Sequence, residues 1–328
     1  MSRPPLALPS SLGPVFTPEQ ARAAGVTARR LRARDLVHVH RGLLAIASLD
    51  EGEEEEVDLE PFARDRAMRT RTLARAQMYR PLMVAHAFFC GRTAAGIWQL
   101  PVECDGPLEV AVPAPHRAPR RRGIAGRQVA AHLVTVRDRD GLRLASPAST
   151  WATLGDELSV RELVVVGDAA VHIPRDASAR RRPDRALATI EQLQSAAAAG
   201  TRRGVHRLRA AVAQVCTASA SPLETEFRLD AAAAGLPMPT LDMVVRDRRG
   251  ELIGVTEVAY PEWKVLVEIE GDHHRTSRRQ WNRDIEKYAA YVAEGYEVVR
   301  LTSAHVRGAR PVAVRVVREA LARHGWRA

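Results

Sequence analysis

EVAYPEWKVLVEIEGDHH, residues 257–274, sets carboxylates into a run that otherwise reads as strand core. Glu257 stands at the end of one predicted strand. A second, over residues 265–270, carries Glu268 and Glu270. Side chains of a strand alternate between faces, so Glu268 and Glu270 share one, about 7 Å apart. A Val-Leu-Val strand with two acids in register is not plain core, because a buried carboxylate is costly unless paired or bound to a cation. Three acids arriving from two strand ends suit a divalent cation. Gly271, Asp272, His273, His274 and Arg275 follow at once and cluster polar groups at the same end.

Outward from this stretch the elements are legible. Residues 221–234 read as a helix, with Ser221 as N-cap, Pro222 at the first position and Glu224 at the capping-box position. Strands are predicted over 241–246, 252–259 and 265–270, the first two joined by the turn Asp247-Arg248-Arg249-Gly250. A long helix over 277–294 is closed by Gly295, followed by a strand over 296–301 and a helix over 311–324. Asp284 and Lys287 lie three apart on the long helix and so share a face.

That order, α-β-β-β-α-β-α, with an acid ending the second strand and E-x-E on the third, resembles the PD-(D/E)xK nuclease superfamily. GVTEVAYPEWKVLVEIEGDHHRTSRRQWNRDIEKYAAYVAEGYEVVRLT, residues 254–302, is similar to the domain family related to very-short-patch-repair endonucleases. The resemblance covers about residues 218–325 and implies a restriction-endonuclease-like core that hydrolyses phosphodiester bonds. It places Glu257 where the family has an aspartate metal ligand and Glu268 at the acid of the third strand. Glu270 falls where Asp, Glu or a polar residue is usual. Glu224 stands where some relatives keep an accessory acid, and His273 and His274 fall near histidines that assist the chemistry. The implied metal ligands are Glu257, Glu268 and Glu270, the cofactor Mg²⁺ or Mn²⁺, and the catalytic set adds His274 and Lys287 to the three glutamates. Asp284 is an accessory acid, and Arg275, Arg278, Arg279 and Arg283 would contact phosphates. Two departures stand out: Glu replaces Asp at 257, and the third-strand motif ends in Glu270 instead of lysine. Lys287 is the cation that could stand in. Plainer readings run beside these: Glu224 as a helix cap, Asp284 as a salt-bridge partner, and Glu268 and Glu270 as a structural pair bonded to Arg283 or Arg300.

The chain has 328 residues, enough for two or three domains, and 46% hydrophobic residues to build their cores. The formal net charge is +10, and only Lys264 and Lys287 are lysines among 49 basic residues. Residues 61–220 carry 25 basic against 13 acidic residues, so the middle of the chain is the basic part, as a polyanionic partner requires. The three cysteines, Cys90, Cys104 and Cys216, have no disulfide or CxxC spacing. The start MSRPPLALPSS lacks an apolar signal core, and no run reaches membrane-spanning length, so the expectation is a cytoplasmic protein with no membrane partner.

The N-terminal region, residues 1–49, reads as two short helices. Thr17 caps the first, the turn Ala24-Gly25-Val26 breaks it, and Thr27 caps a second that carries Arg29, Arg30, Arg32 and Arg34. Residues 37–46 form a predicted β-wing turning at Gly42. This pattern resembles the winged-helix domain of AbiEi-type antitoxins, which implies operator binding through Arg29, Arg30 and Arg32; the alternative is a small structural module. Residues 50–60, DEGEEEEVDLE, read as an acidic linker. Residues 61–205 read as an α/β middle domain like the one that follows the winged helix in AbiEi-like proteins. Between two of its strands lies a loop with Arg117, Arg120, Arg121 and Arg122, of a kind that is more often solvated than phosphate-bound. Asp168, after Gly167, reads as a turn residue. Residues 218–328 close the chain as the nuclease-like domain.

The expectation is an α/β multidomain protein: a DNA-binding, metal-dependent endonuclease or nickase acting in repair or defence. The alternative is a non-catalytic DNA-binding regulator, antitoxin-like, whose nuclease domain has degenerated. A toxin or repair partner and the oligomeric state are left open.

Overall fold

The computed structural model describes residues 6–9, 11–13, 15–40, 42–46, 63–270 and 278–327. The chain is a mixed α/β protein in two compact units. The first holds the N-terminal elements, Ala63–Ile97 and Glu103–Ala145; the second holds Trp98–Val102 and everything from Ser146 onward.

In the first unit, β1 (Val15–Phe16), α1 (Pro18–Ala23), β2 (Leu36–His40) and β3 (Leu43–Ile46) make a small module with strand order β1-β3-β2. Thr17 and Gln20 close the expected capping box on α1. Phe16, Ala21, Val26, Leu36 and Leu44 form the core. The expected second helix over residues 27–35 is corrected: only Arg30–Arg32 coil, as one 3₁₀ turn, before Ala33 becomes extended. Leu31 alone packs onto the core from this stretch, so no apolar stripe stabilises a longer helix. Arg30 is consumed locally. It forks onto Asp35 at 2.8 and 2.6 Å and donates to the Leu6 carbonyl at 2.6 Å.

The chain resumes with α2 (Ala63–Tyr79), β4 (Phe88–Phe89), α3 (Gly91–Ile97), β5 (Leu108–Pro113), β6 (Ile124–Val129), β7 (Val136–Arg139) and β8 (Leu142–Ala145). The sheet order is β6-β5-β4-β8-β7, with β5 and β6 parallel neighbours. Strand β6 ends at Val129, because Ala131–Leu133 turn as 3₁₀.

The second unit begins with α4 (Pro147–Thr153), α5 (Val160–Val171), α6 (Ile190–Ala198) and α7 (Val205–Val212). The stretch 61–205, expected as one middle domain, is divided after Ala145: α2, α3 and the sheet stay in the first unit, and α4 to α7 belong to the second. The reason is chemical. Asp168 is not a turn residue but a fully buried member of α5, accepting from Cys216 N, Thr225 Oγ1 and Arg228 at 2.8 Å each. Two of those partners lie on α8 (Pro222–Ala233), so the acid ties α5 to the helix that opens the last domain.

Strands β9 (Thr240–Arg246), β10 (Leu252–Tyr260) and β11 (Val265–Glu270) follow, then α9 (Arg278–Ala293), β12 (Glu297–Thr302), α10 (Ser303–Arg307) and α11 (Ala313–Arg323). The sheet order is β12-β11-β10-β9; β9, β10 and β11 meander antiparallel, and β12 lies parallel to β11 after the α9 crossover. One sheet face buries Val258, Val267, Val299 and Leu301 with Phe227 of α8 and Val317 of α11. The other buries Val245, Ala259 and Leu266 with Tyr291 of α9. Helices on both faces explain why β11 reads as an apolar run and not as an alternating one. The element order matches the one expected from sequence, with α10 as an added turn.

Candidate active site

The acids gather where two strands part. The β10–β11 ladder runs from Tyr260↔Val265 to Val258↔Val267 and stops. Beyond that point β10 continues on β9 as far as Leu252, and β11 continues on β12 as far as Glu270. The fork leaves a cavity of about 140 Å³, lined by Val255 and Glu257 of β10, Glu268, Ile269 and Glu270 of β11, and Asp284, Lys287 and Tyr288 of α9. Glu257 and Glu268 occupy the first positions past the last rung.

Glu257 spans the fork. Its Oε2 accepts from the Ile269 backbone N–H at 2.5 Å, replacing a partner the ladder no longer supplies. Burial pushes its carboxyl well above the usual range, and the neighbouring Glu224 and Glu268 push it further. Glu268 is 5% exposed. Its Oε2 meets Lys287 Nζ at 2.9 Å, while its buried Oε1 has no hydrogen-bond partner among the described residues. Burial raises its pKa, with Lys287 and the nearby Thr256 hydroxyl pulling the other way. Glu270, at the rim, accepts from Arg300 Nε at 2.6 Å and forms an ion pair with that guanidinium. The plainer reading of Glu270, bonded to Arg300, is thus the geometry observed.

Glu224 is also buried. Its Oε2 accepts from Ala220 N–H at 2.8 Å, one residue before the N-cap Ser221, so the expected capping box is not closed: Ser221 caps α8, and Glu224 instead holds the chain that leads into it. Burial pushes its carboxyl up to about 7, and Asp242 and Glu268 add to the rise. One side chain thus braces the entry to α8 and belongs to the acid cluster.

Asp242 is a member that the sequence reading missed. On β9 it lies between Leu241, which pairs with Val258, and Met243, which pairs with Thr256, and so stands opposite Glu257. Its φ is +52°, a left-handed conformation that non-glycine residues rarely adopt. Arg175 donates to its carboxylate and to its carbonyl at 2.7 Å each, and Arg181 pairs with it at 3.1 Å. An acid inside the apolar run LDMVV was the available signal.

Helix α9 brings the cation. Gly254 on β10 makes room for it: a Cβ there would stand 3.0 Å from Lys287 Cδ and 2.9 Å from the Tyr291 hydroxyl. Lys287 Nζ also lies 5.2 Å from the Tyr288 ring centroid. Asp284 lines the same cavity, whereas Arg283 is exposed one position earlier. Arg278 and Arg279 begin α9, and their side chains lie outside the described set. His273, His274 and Arg275 fall outside the described residues altogether. At the N-terminus Arg29 and Arg32 are exposed, and Arg30 is tied to Asp35.

The donors suit a hard divalent cation in kind: carboxylate oxygens, one of them buried and unpartnered. Glu257 and Glu268 could supply two ligands. Among the described residues no group of three His, Cys, Asp or Glu side chains stands assembled to hold a metal ion. The cluster is also short of positive charge, since burial and mutual repulsion raise Glu224, Glu257 and Glu268 together. Protons relieve that repulsion; so would a cation. No family model matches this chain, and no curated protein matches it.

Proposed function

We propose that the chain is a DNA-binding, metal-dependent endonuclease or nickase with its site in the β10–β11 fork. The observation that carries this reading is Glu268, buried in the lining of the fork cavity beside Glu257 and Lys287, with no hydrogen-bond partner on its Oε1 among the described residues. A hydrogen-bond acceptor left bare in a buried position costs about 1–3 kcal/mol, more if charged, and such a cost is retained where it serves chemistry.

Glu257 and Glu268 would hold Mg²⁺ or Mn²⁺. The ion would polarise the scissile phosphate and lower the pKa of a bound water. The residues of the chain do the rest. Lys287 places a positive charge against Glu268 from the helix, the role for which the third strand offers only Glu270. Glu270, clamped by Arg300, fixes the rim of the cavity. The Ile269 N–H holds the Glu257 carboxylate in one orientation, and Glu224 shares the local proton load. His274 assists proton transfer in this proposal, His273 and Asp284 are accessory, and Arg283 contacts phosphate.

The test is cleavage of supercoiled, linear, mismatched and single-stranded DNA with Mg²⁺ or Mn²⁺, by wild type beside Glu268→Gln. Metal-dependent cutting that disappears in the variant, with binding in EDTA retained, supports the proposal. Binding without cutting on every substrate overturns it. A second reading, a non-catalytic DNA-binding regulator, antitoxin-like, is favoured by one observation: Lys287 already neutralises Glu268 as a salt bridge would in a retired site.

A further inference from the structure

The link between β5 and β6 has an unusual task. The two strands are parallel neighbours, in register from Leu108↔Ile124 to Pro113↔Val129. The chain must therefore return from the end of β5 to the start of β6, a job usually given to a helix of a dozen or more residues. Here residues 114–123 do it as a strap. A six-residue strand is about 20 Å long, and ten extended residues reach at most about 33 Å, so the strap can make the return with two bends.

The strap is built into the sheet. It passes over Gly126 of β6 so closely that a Cβ there would stand 2.0 Å from the Pro119 carbonyl oxygen. At its start the His116 carbonyl accepts from Gln128 Nε2 at 2.7 Å, and the His116 ring stacks on His86 with centroids 3.7 Å apart. At its end Ile124 N donates to the Arg121 carbonyl at 3.1 Å, and Leu108 N to the Gly123 carbonyl at 2.9 Å. Pro113, Pro115 and Pro119 limit its backbone freedom.

From this braced segment project Arg117, Arg120, Arg121 and Arg122, all exposed. Arg117, Arg120 and Arg122 make no ion pair among the described residues. Four guanidinium groups in six residues span at most about 20 Å, and a DNA strand offers a phosphate every 3.4 Å of axis. Holding long cationic side chains on a fixed backbone lowers the entropy that phosphate binding must overcome. By contrast, Arg30 of the N-terminal module is already spent on Asp35.

We propose that the arginine strap, residues 116–122, is a principal phosphate-backbone contact of this protein with duplex DNA. The inference rests on the DNA-binding half of the functional reading and not on catalysis.

The experiment is DNA binding by the full chain in EDTA, with a short duplex of random sequence, between about 50 and about 200 mM salt. Arg117→Gln, Arg120→Gln and Arg122→Gln are combined. The comparison variant, Arg203→Gln, Arg310→Gln and Arg327→Gln, removes the same charge elsewhere. A third variant replaces the strap arginines by lysine, and circular dichroism confirms that each is folded. Each phosphate contact adds about 0.9 to the slope of log affinity against log salt, so the strap variant is expected to lose about 2–3 from that slope and at least about tenfold in affinity at low salt. The comparison variant keeps most of the slope, and the lysine variant keeps it nearly whole. An unchanged slope in the glutamine strap variant, or an equal loss in both charge-removed variants, overturns the proposal. Wild-type cutting with a strap-independent slope sinks the strap alone, whereas strap-dependent binding without cutting sinks only the nuclease reading.

Discussion

Asp168 and Glu268 are both carboxylates buried in the second unit, and their surroundings differ in one respect. Asp168, in α5, is satisfied: a backbone N–H, a hydroxyl and a guanidinium reach it at 2.8 Å. Glu268, in β11, has Lys287 on one oxygen and, with the Thr256 hydroxyl close to its carboxylate, no well-formed hydrogen bond on the other among the described residues. A satisfied buried acid fastens elements together, here α5 to α8. An acid left half-partnered, in the lining of a cavity with three more acids, holds capacity for something not part of the fold. The composition of the strand or helix around each does not reveal the difference; the partner set does.

The comparison breaks or sharpens on substitutions. Glu268→Gln keeps the shape and Lys287 contact while removing the charge. Cleavage is expected to fall by at least about a hundredfold, the scale of single electrostatic groups in active sites, with little change in melting temperature. Unchanged cleavage would move Glu268 into the structural class with Asp168. Asp168→Ala is expected to do the opposite. It leaves the half-buried Arg228, the Thr225 hydroxyl and the Cys216 N–H without their acceptor and should cost about 3–5 kcal/mol, read by urea denaturation. A loss below about 1 kcal/mol would show that the α5–α8 junction does not depend on the acid.

Acidity offers a third test. Glu224 holds its proton to about 7 in the fold, against about 4.3 when unfolded. The folded state therefore binds the proton more tightly. That contribution is fully present below pH 4.3 or so and is lost as pH climbs towards about 7. Melting temperature should decline across this window, and Glu224→Gln should flatten the decline. A divalent cation should raise the melting temperature more at pH 8 than at pH 5, since it competes with protons for the same oxygens. Equal shifts at both pH values would argue against a cation in the cluster. Smallest of the expected effects, Ser221→Ala should cost about 1 kcal/mol, because its hydroxyl accepts from Glu224 N–H at the start of α8.

Much of the C-terminal unit was legible because its signals are local. Ser221-Pro222 starts a helix by capping chemistry, alternating and apolar runs mark the strands, and Gly250 and Gly295 close turns at φ +84°. Glu257 and Glu268 could be brought together from the strand ends, whereas Lys287 entered through the nuclease resemblance, as the stand-in for the lysine that the third strand lacks. Asp242 could not, because its importance comes from a left-handed kink and from Arg175 and Arg181, which are distant in sequence. Asp168 was misread for the same reason: Gly167 beside it suggests a turn, and only the packing of Cys216, Thr225 and Arg228 around it makes it helix interior. At the N-terminus the capping residue Thr27 and a run of good helix formers suggest a full helix. Without an apolar face that tendency yields a single 3₁₀ turn, and Arg30 serves Asp35 instead of solvent. Division of the middle region after Ala145 has no sequence marker, since the chain passes directly from β8 into α4.

The strap over β6 has a consequence for how this protein can vary. Most surface connections gain or lose residues freely. This one must recross a strand of fixed length while threading past Gly126. It therefore has little slack: an insertion can bulge outward, but removing two or three residues would pull β5 and β6 out of register. Among related chains the spacing between these strands should have a hard lower limit and a soft upper one, with glycine kept at the crossing point even where the surrounding sequence drifts.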